Sequence, residues 1–278
     1  MFFQKEKINF VIHENLCVLN YPNNVLYNIT AGIATFFFTS ALPVFSQGDK
    51  IPPNPGGYWI AYTGDNKLNK RFGIHSEIQL RNLFVERTVE SFLVRTGVNI
   101  YIQPYAMGTA GYGFFYGTPS RDYIIGSKTA EHRIWQQLIL RQKTKAIFME
   151  HRYRLEQRFI ENISTGVHRQ DHRFRYRFQA LFPLYSISPR LRHLFIGVNN
   201  EIMINFRSNP ARLFDRNRFF SGIGYQVSPK MNFQLGYLNQ FVHNPGTEKA
   251  QIDHILQFGV SYNMDDLMQT FFRKKQEI

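Results

Sequence analysis

The side chains best suited to chemistry are arginines and glutamates that recur at every second position in two segments, 146–159 and 172–182. They are Glu150, Arg152, Arg154, Glu156, Arg158, Arg173, Arg175 and Arg177. A guanidinium group keeps its charge at any physiological pH and can bridge two carboxylates through its fork of donors. The pattern therefore indicates either an ion-pair network or a basic track for an anion.

Alternation between polar and apolar side chains places these residues on β-strands, because a helix would scatter the arginines around its whole circumference. The same period of two continues through residues 70–81 and 194–206. Further strand candidates are 57–64, 90–102, 105–116, 130–140, 217–227, 231–242 and 252–263. Most of the eleven candidates are as long as the ~9–11 residues that a tilted strand needs to cross a bilayer.

Long strands with one apolar and one charged face are typical of a barrel with lipid outside and a polar lumen. We therefore expect an all-β fold, an up-and-down antiparallel transmembrane β-barrel. A soluble sandwich or lipocalin-like barrel would produce the same alternation with its charged face turned to water. Tyrosines near strand ends favour the membrane, because such rings collect at bilayer interfaces; they are Tyr58, Tyr101, Tyr116, Tyr225, Tyr237 and Tyr262.

The lengths of the connections between the strand candidates help to predict the number of strands. Short connections alternate with longer ones at 84–89, 117–129, 161–171, 207–216 and 243–251, and 183–191 is intermediate. Eleven strands would make the first and last run in the same direction, whereas bacterial barrels have even strand numbers. We therefore expect about twelve strands, or ten if residues 57–64 do not form a wall strand.

The chain begins with features of secretion. Residues 29–45 form an uncharged apolar run, and small residues near Ser46 predict cleavage before Gln47. The run is short for a membrane helix of ~20 residues, and its Thr, Ser and Gly residues disfavour a buried core helix. Lys5 and Lys7 lie unusually far upstream, which a wrongly chosen start codon would explain.

The expected domains are a signal peptide with an atypical leader (1–46), a short linker (47–56), a barrel domain (57–263) and a basic tail (264–278). Cys17, the only cysteine, lies in the first of these. A disulfide framework is therefore excluded from the rest of the chain.

We expect the charged faces of the strands to meet in the lumen as one network. Its members are Arg71, Glu77, Arg81, Arg95, Glu131, Arg133, Glu150, Arg152, Arg154, Glu156, Arg158, Arg173, Arg175, Arg177 and Glu201. A structural role is favoured, because opposite charges across strands stabilise their pairing and small barrels are filled by side chains. The alternative is a narrow anion-preferring pore, since rings of arginine line such pores.

A lipid-modifying hydrolase is the second alternative. A base and nucleophile on one strand must be two residues apart to share a face, and no His-x-Ser or Ser-x-His sequence occurs; His75 and Ser76 are adjacent. His168 and His172 could chelate a metal on a helical turn, but a solvated loop is the preferred interpretation. We therefore predict no catalytic residue, no cofactor site and no metal site.

Several motifs together resemble a known family. Residues 131–137, 151–159 (HRYRLEQRF), 173–177, 200–201 and 215–218 resemble the bacterial domain of unknown function 2490 family, over residues 57–263. The resemblance implies an outer-membrane β-barrel and supplies neither a reaction nor catalytic residues.

The formal net charge of +13 indicates an anionic partner. Location in the outer membrane of a Gram-negative bacterium implies contact with outer-membrane lipids and with the barrel-assembly machinery, and an anionic small solute is a further candidate. Nucleic acid, which the charge alone would also fit, is disfavoured by the secretory leader.

Overall fold

The computed structural model describes residues 56–83, 91–118, 128–144, 147–184, 187–206, 213–243 and 250–263. The expected signal peptide, nearly all of the expected linker and the basic tail lie outside the described residues. Among the residues within these ranges, no helix has the length and hydropathy needed to cross a membrane.

The described residues form eleven strands and one short 3₁₀ helix, Pro189–Leu191. The strands are β1 (Gly57–Lys67), β2 (Phe72–Leu83), β3 (Ser91–Gln103), β4 (Ala106–Gly117), β5 (Thr129–Lys143), β6 (Phe148–Asn162), β7 (Val167–Pro183), β8 (Leu194–Phe206), β9 (Phe214–Ser228), β10 (Met231–His243) and β11 (Ala250–Tyr262). The all-β class is confirmed, and each strand coincides closely with a segment that alternates in the sequence.

The sheet closes on itself as a barrel in which each strand pairs antiparallel with the next along the chain. The exception is the closing pair, in which β1 and β11 run parallel from Gly57 opposite Ile255 to Thr63 opposite Ser261. The described residues thus form eleven strands rather than the expected twelve or ten. A parallel pair can close the barrel because it joins two strands of the same direction, which removes the need for an even number.

The connections between strands lie at two opposite ends of the barrel. We call the end with the connections 68–71, 104–105, 144–147, 184–193 and 229–230 the turn end, and the opposite end the loop end. The expectation of a long loop at 161–171 is wrong. β6 and β7 extend through most of this segment and are joined by a four-residue turn at the loop end. Asn162 Oδ1 accepts hydrogen bonds from the backbone N–H groups of Ser164 (3.0 Å) and Thr165 (3.1 Å), and Gly166 has φ +67°. This side-chain-stabilised turn returns the chain without a long loop.

The polarity of the barrel is inverted relative to that of a soluble protein. Ile78, Val98 and Leu155 are about half exposed on the outer surface, whereas Glu131, Arg154 and Glu156 are almost completely buried inside. Apolar side chains also lie in the interior, among them a cluster of Trp59, Phe220, Leu238 and Ile255. The alternating sequence therefore directs charge inward and apolar side chains outward.

Two pairs of glycines make room for aromatic rings in the interior. Gly97 and Gly111 lie opposite each other on β3 and β4, and a Cβ built at Gly111 would come within 2.7 Å of the Trp135 ring. On β9 and β10, Gly222 lies opposite Gly236, and a Cβ built at either residue would come within 2.8 Å of the Phe220 ring. Because the glycines leave this space, large rings fit close to the barrel wall.

Candidate binding site in the barrel interior

The structure brings fourteen of the fifteen predicted network residues to the inner surface of the barrel. Twelve are buried, and Arg152 and Arg177 line an internal cavity. Arg71 differs from the prediction. It is exposed in the turn before β2, and its backbone N–H donates to Asn69 Oδ1 at 2.8 Å. The predicted segment 70–81 begins two residues before the strand, because β2 begins at Phe72.

A chain of ion pairs crosses the middle of the lumen from β2 to β8. Arg95 lies 3.2 Å from Glu77 and 2.7 Å from Glu156. On the far side, Arg175 lies 2.8 Å from both Glu156 and Glu201. Each of these carboxylates contacts at least one arginine, which offsets the cost of removing it from water.

The chain continues from β8 to β11 through weaker and neutral contacts. Arg218 lies 3.9 Å from Glu201, and its Nε donates to Gln240 Oε1 at 2.7 Å. Gln240 in turn donates to Asp253 Oδ2 at 2.9 Å. Polar contacts therefore connect β2 with β11, and side chains rather than open space occupy the middle of the barrel.

The interior between this chain and the loop end is a closely filled layer, which we call the closed layer. Glu131 binds Arg133 at 2.6 Å and Arg158 at 2.8 Å, and Arg173 binds Asp215 at 2.9 Å. The buried Phe115 ring packs beside these charges. The Arg133 guanidinium lies 4.7 Å from the centre of the Phe115 ring, a cation–π distance.

Between the chain of ion pairs and the turn end lies a cavity of about 1010 Å³. Lys70 and Pro104 line it at the turn end, and Trp59, Arg154 and Arg218 line its inner end. Both cations at the inner end lie against tryptophan rings. Arg154 is 4.8 Å from the centre of the Trp135 ring, and Arg218 is 4.8 Å from that of Trp59.

Arg154, at the inner end of the cavity, is poorly compensated by carboxylates. It is 1% exposed, and both its Nε and Nη2 donate to the neutral Gln137 Oε1, at 3.0 and 2.8 Å. Its Nη1 is buried without a hydrogen-bond partner, and the nearest carboxylate oxygen in an ion pair, Glu77 Oε2, is 3.7 Å away. A buried charge held mainly by an amide keeps capacity for a further anionic contact.

Side chains that the sequence analysis did not assign to the network complete the cavity wall. Asp65 Oδ1 lies 2.7 Å from His75 Nδ1 and accepts from Asn99 Nδ2 at 2.9 Å. His75 is buried, and its Nε2 lies 3.7 Å from Glu77. The alternation of residues 70–81 already placed His75 on the polar face, whereas Asp65 lay beyond the expected end of its strand.

The two histidines considered for metal binding lie in β7 rather than in a loop. His168 and His172 are exposed on this strand, and a strand separates residues four apart by about 13 Å. That spacing excludes the helical-turn chelate considered above. Throughout the seven described ranges, no group of three or more His, Cys, Asp or Glu side chains is placed to hold a metal ion.

The model of the family described as "Protein of unknown function (DUF2490)" matches residues 56–251. The chain belongs to this family. The resemblance expected from the motifs of β5 to β9 is therefore confirmed, and the family description assigns no activity.

A comparison with solved structures finds a similarity to the NanC porin, solved in a rhombohedral crystal form. The TM-score is 0.45 at 12% sequence identity, and the match covers 74% of this chain and 97% of the other. A comparison with curated proteins found no match.

Proposed function

We propose that the protein is an integral barrel of the bacterial outer membrane, with a charged interior that serves structural and binding roles. The inverted polarity carries this proposal. Ile78, Val98 and Leu155 on the outer surface would be costly to expose to water. In a bilayer the same side chains face hydrocarbon, while the charges inside contact one another.

Outward-facing tyrosine–histidine pairs support the same placement. The Tyr112 hydroxyl lies 2.5 Å from His132 Nδ1, and the Tyr237 hydroxyl lies 2.5 Å from His254 Nδ1. Both histidines lie toward the loop end, and a third pair, between His151 and Tyr176 (2.9 Å), lies toward the turn end. Amphipathic rings of this kind anchor a barrel at the two water interfaces. Tyr101 is an exception among the predicted interface tyrosines, because it lines the cavity.

The connections support an orientation. Short turns of outer-membrane barrels face the periplasm, and longer loops face outward. The turn end, with connections of two residues at 104–105 and 229–230, therefore corresponds to the periplasmic side. On this orientation the cavity opens toward the periplasm, and the closed layer lies toward the cell exterior.

Membrane fractionation combined with gel mobility tests the proposal. We expect the protein in the outer-membrane fraction, with faster migration in SDS before heating than after it, as for a closed barrel that resists detergent. A reporter protein secreted in soluble form into the periplasm of the same cells controls for leakage between fractions. Recovery of the folded protein in the soluble periplasm would contradict the proposal.

The runner-up function is a narrow anion-preferring pore, which the basic cavity favours. We propose a barrel without such a pore, because the chain from Glu77 to Asp253 and the closed layer occupy the lumen. Planar-bilayer recordings distinguish the two functions. The proposed barrel gives no stepwise conductance, whereas a pore conducts with an anion selectivity that weakens when Arg152, Arg154 and Arg175 are neutralised.

We also propose that the protein is not an enzyme, against the alternative of a lipid-modifying hydrolase. Among the residues that the structure describes, the Asp65–His75 pair most resembles a catalytic arrangement, and its histidine is buried among charged side chains rather than directed at the bilayer edge. Refolded protein should release no fatty acid from phospholipid or lipopolysaccharide. Release that is abolished by His75→Ala would contradict this part of the proposal.

A further inference from the structure

The cavity wall contains two pairs of arginines that face each other across neighbouring strands. Arg152 lies opposite Arg177, and Arg154 lies opposite Arg175, on β6 and β7. We call these four residues the arginine patch. Like charges directly opposite each other destabilise a sheet unless another charge lies between or beside them.

Carboxylates compensate only part of the arginine patch. Arg175 and Arg152 contact Glu201, and Arg177 contacts Glu150. In contrast, Arg154 has Gln137 as its main partner, and its Nη1 is buried without a hydrogen bond. The Nε atoms of Arg152 and Arg177 are also without one.

The lining of the whole cavity has the same imbalance. Eight lysines and arginines line it against four aspartates and glutamates. The basic residues are Lys67, Lys70, Arg141, Arg152, Arg154, Arg175, Arg177 and Arg218, and the acidic residues are Asp65, Glu77, Glu150 and Glu201. A concave, partly desolvated wall of this composition raises the local concentration of anions.

The wall across from the arginine patch has a different character. It is formed by β8 to β11 and by Asn263 directly after β11, and it carries one cation, Arg218, with six amides, Asn199, Gln226, Asn232, Gln234, Gln257 and Asn263. The lining from β2 to β7 also has four amides, Gln79, Gln103, Gln137 and Gln179, but there they lie among the arginines. Each amide offers both donors and an acceptor. Such a wall suits hydroxyl groups, which also donate and accept, better than it suits a second anionic group.

We infer that the cavity binds a small hydroxylated organic anion, with its charged group at the arginine patch beside Arg154 and its hydroxyl groups against the amide wall. The inference rests on the proposed function, since it takes the cavity to be the water-filled, periplasm-facing part of a membrane barrel. The surplus of cations sets the sign of the ligand, and the contrast between the two walls sets its polarity.

Calorimetric titration of the intact protein, folded in detergent micelles, tests the inference with four probes. Glucose 6-phosphate and gluconate share hydroxyl groups and a negative charge, and a preference between them identifies phosphate or carboxylate as the better anionic group. Inorganic phosphate lacks the hydroxylated part, and glucose lacks the charge. We expect saturable binding of at least one hydroxylated anion, weaker binding of inorganic phosphate and no binding of glucose.

Two substitutions locate the site. Arg154→Gln should weaken binding about tenfold or more, because a charge-assisted hydrogen bond contributes about 1.5–3 kcal/mol. Arg177→Gln should weaken it as well, and because the Arg177 side chain is about one quarter exposed, this variant keeps the test valid if Arg154→Gln fails to fold. Lys143→Gln removes the same charge from an exposed position outside the cavity lining and should leave the affinity unchanged.

Several outcomes would overturn the inference. They are equal affinity for glucose and glucose 6-phosphate, equal affinity for inorganic phosphate and glucose 6-phosphate, and unchanged affinity in both arginine variants. Absence of binding by a protein that fractionates with the outer membrane and shows heat-modifiable mobility would refute the inference alone. Recovery in the soluble periplasm would instead refute the proposed function.

Discussion

The two halves of the barrel interior contain the same kinds of residue but are organised differently. In the closed layer Glu131 is contacted by both Arg133 and Arg158, and Phe115 is almost completely buried beside them. In the cavity half, Glu150 contacts Arg141 and Arg177, yet both arginine side chains remain about one quarter exposed. This difference in exposure supports a structural role for the closed layer and the proposed binding role for the cavity half.

The largest expected effect concerns the closed layer. Glu131→Gln leaves Arg133 and Arg158 buried without their shared carboxylate, so we expect a loss of about 3–5 kcal/mol in the free energy of unfolding. Urea titration of the folded barrel in micelles, followed by gel mobility, measures it. Glu161→Gln, at the loop-end edge of the barrel wall outside the network, should change stability by less than about 0.5 kcal/mol. Equal losses in both variants would show that the closed layer has no special role.

The second effect concerns the outer surface. Leu155→Arg places a charge at mid-strand on the outer surface, which faces lipid in the proposed location, and we expect a destabilisation of about 2–4 kcal/mol. Ile163→Arg, in the turn between β6 and β7, is the matched control and should cost about 0–1 kcal/mol near the interface. Folding and insertion of both variants at wild-type stability in lipid vesicles would mean that the assigned facing is wrong.

The third effect concerns the glycine pair beneath Trp135. Gly111→Ala would bring its Cβ to 2.2 Å from the Thr96 carbonyl oxygen and 2.7 Å from the Trp135 ring. We expect a loss of about 1–3 kcal/mol from overpacking, together with a shift in tryptophan fluorescence. At Gly108 the nearest atom to a Cβ is 3.6 Å away, so Gly108→Ala should leave both readouts nearly unchanged. A fluorescence shift of the same size in both variants would contradict the account of Trp135 packing.

The smallest effect is expected in the cavity half. Glu150→Gln frees Arg141 and Arg177 from their carboxylate, but both remain partly hydrated, so we expect a loss of about 1 kcal/mol. The same variant should bind glucose 6-phosphate more tightly than wild type, because the cation surplus of the cavity increases. A stability loss as large as that of Glu131→Gln would remove the distinction between the two halves.

The strands and their facing could be predicted from sequence because a period of two is a local signal. The partners could not, since Arg95 and Glu156 are 61 residues apart and meet only across the closed lumen. The alternation of polar and apolar residues also did not predict the cavity. Its inner end depends on rings such as Trp59 and Phe220, which occupy inward positions that the pattern reserves for polar side chains. The strand number was misjudged because an even count excludes the parallel pairing of β1 with β11.

Spin-label accessibility tests the central claim, that apolar side chains face lipid around a charged interior, most directly. Nitroxide labels attached through Leu155→Cys and, separately, Ile163→Cys, each with Cys17→Ser, would be compared in lipid vesicles. The account predicts that the label at position 155 collides mainly with membrane-dissolved oxygen and the label at 163 mainly with a water-soluble nickel complex. Nickel accessibility at position 155 equal to that at 163 would contradict the account.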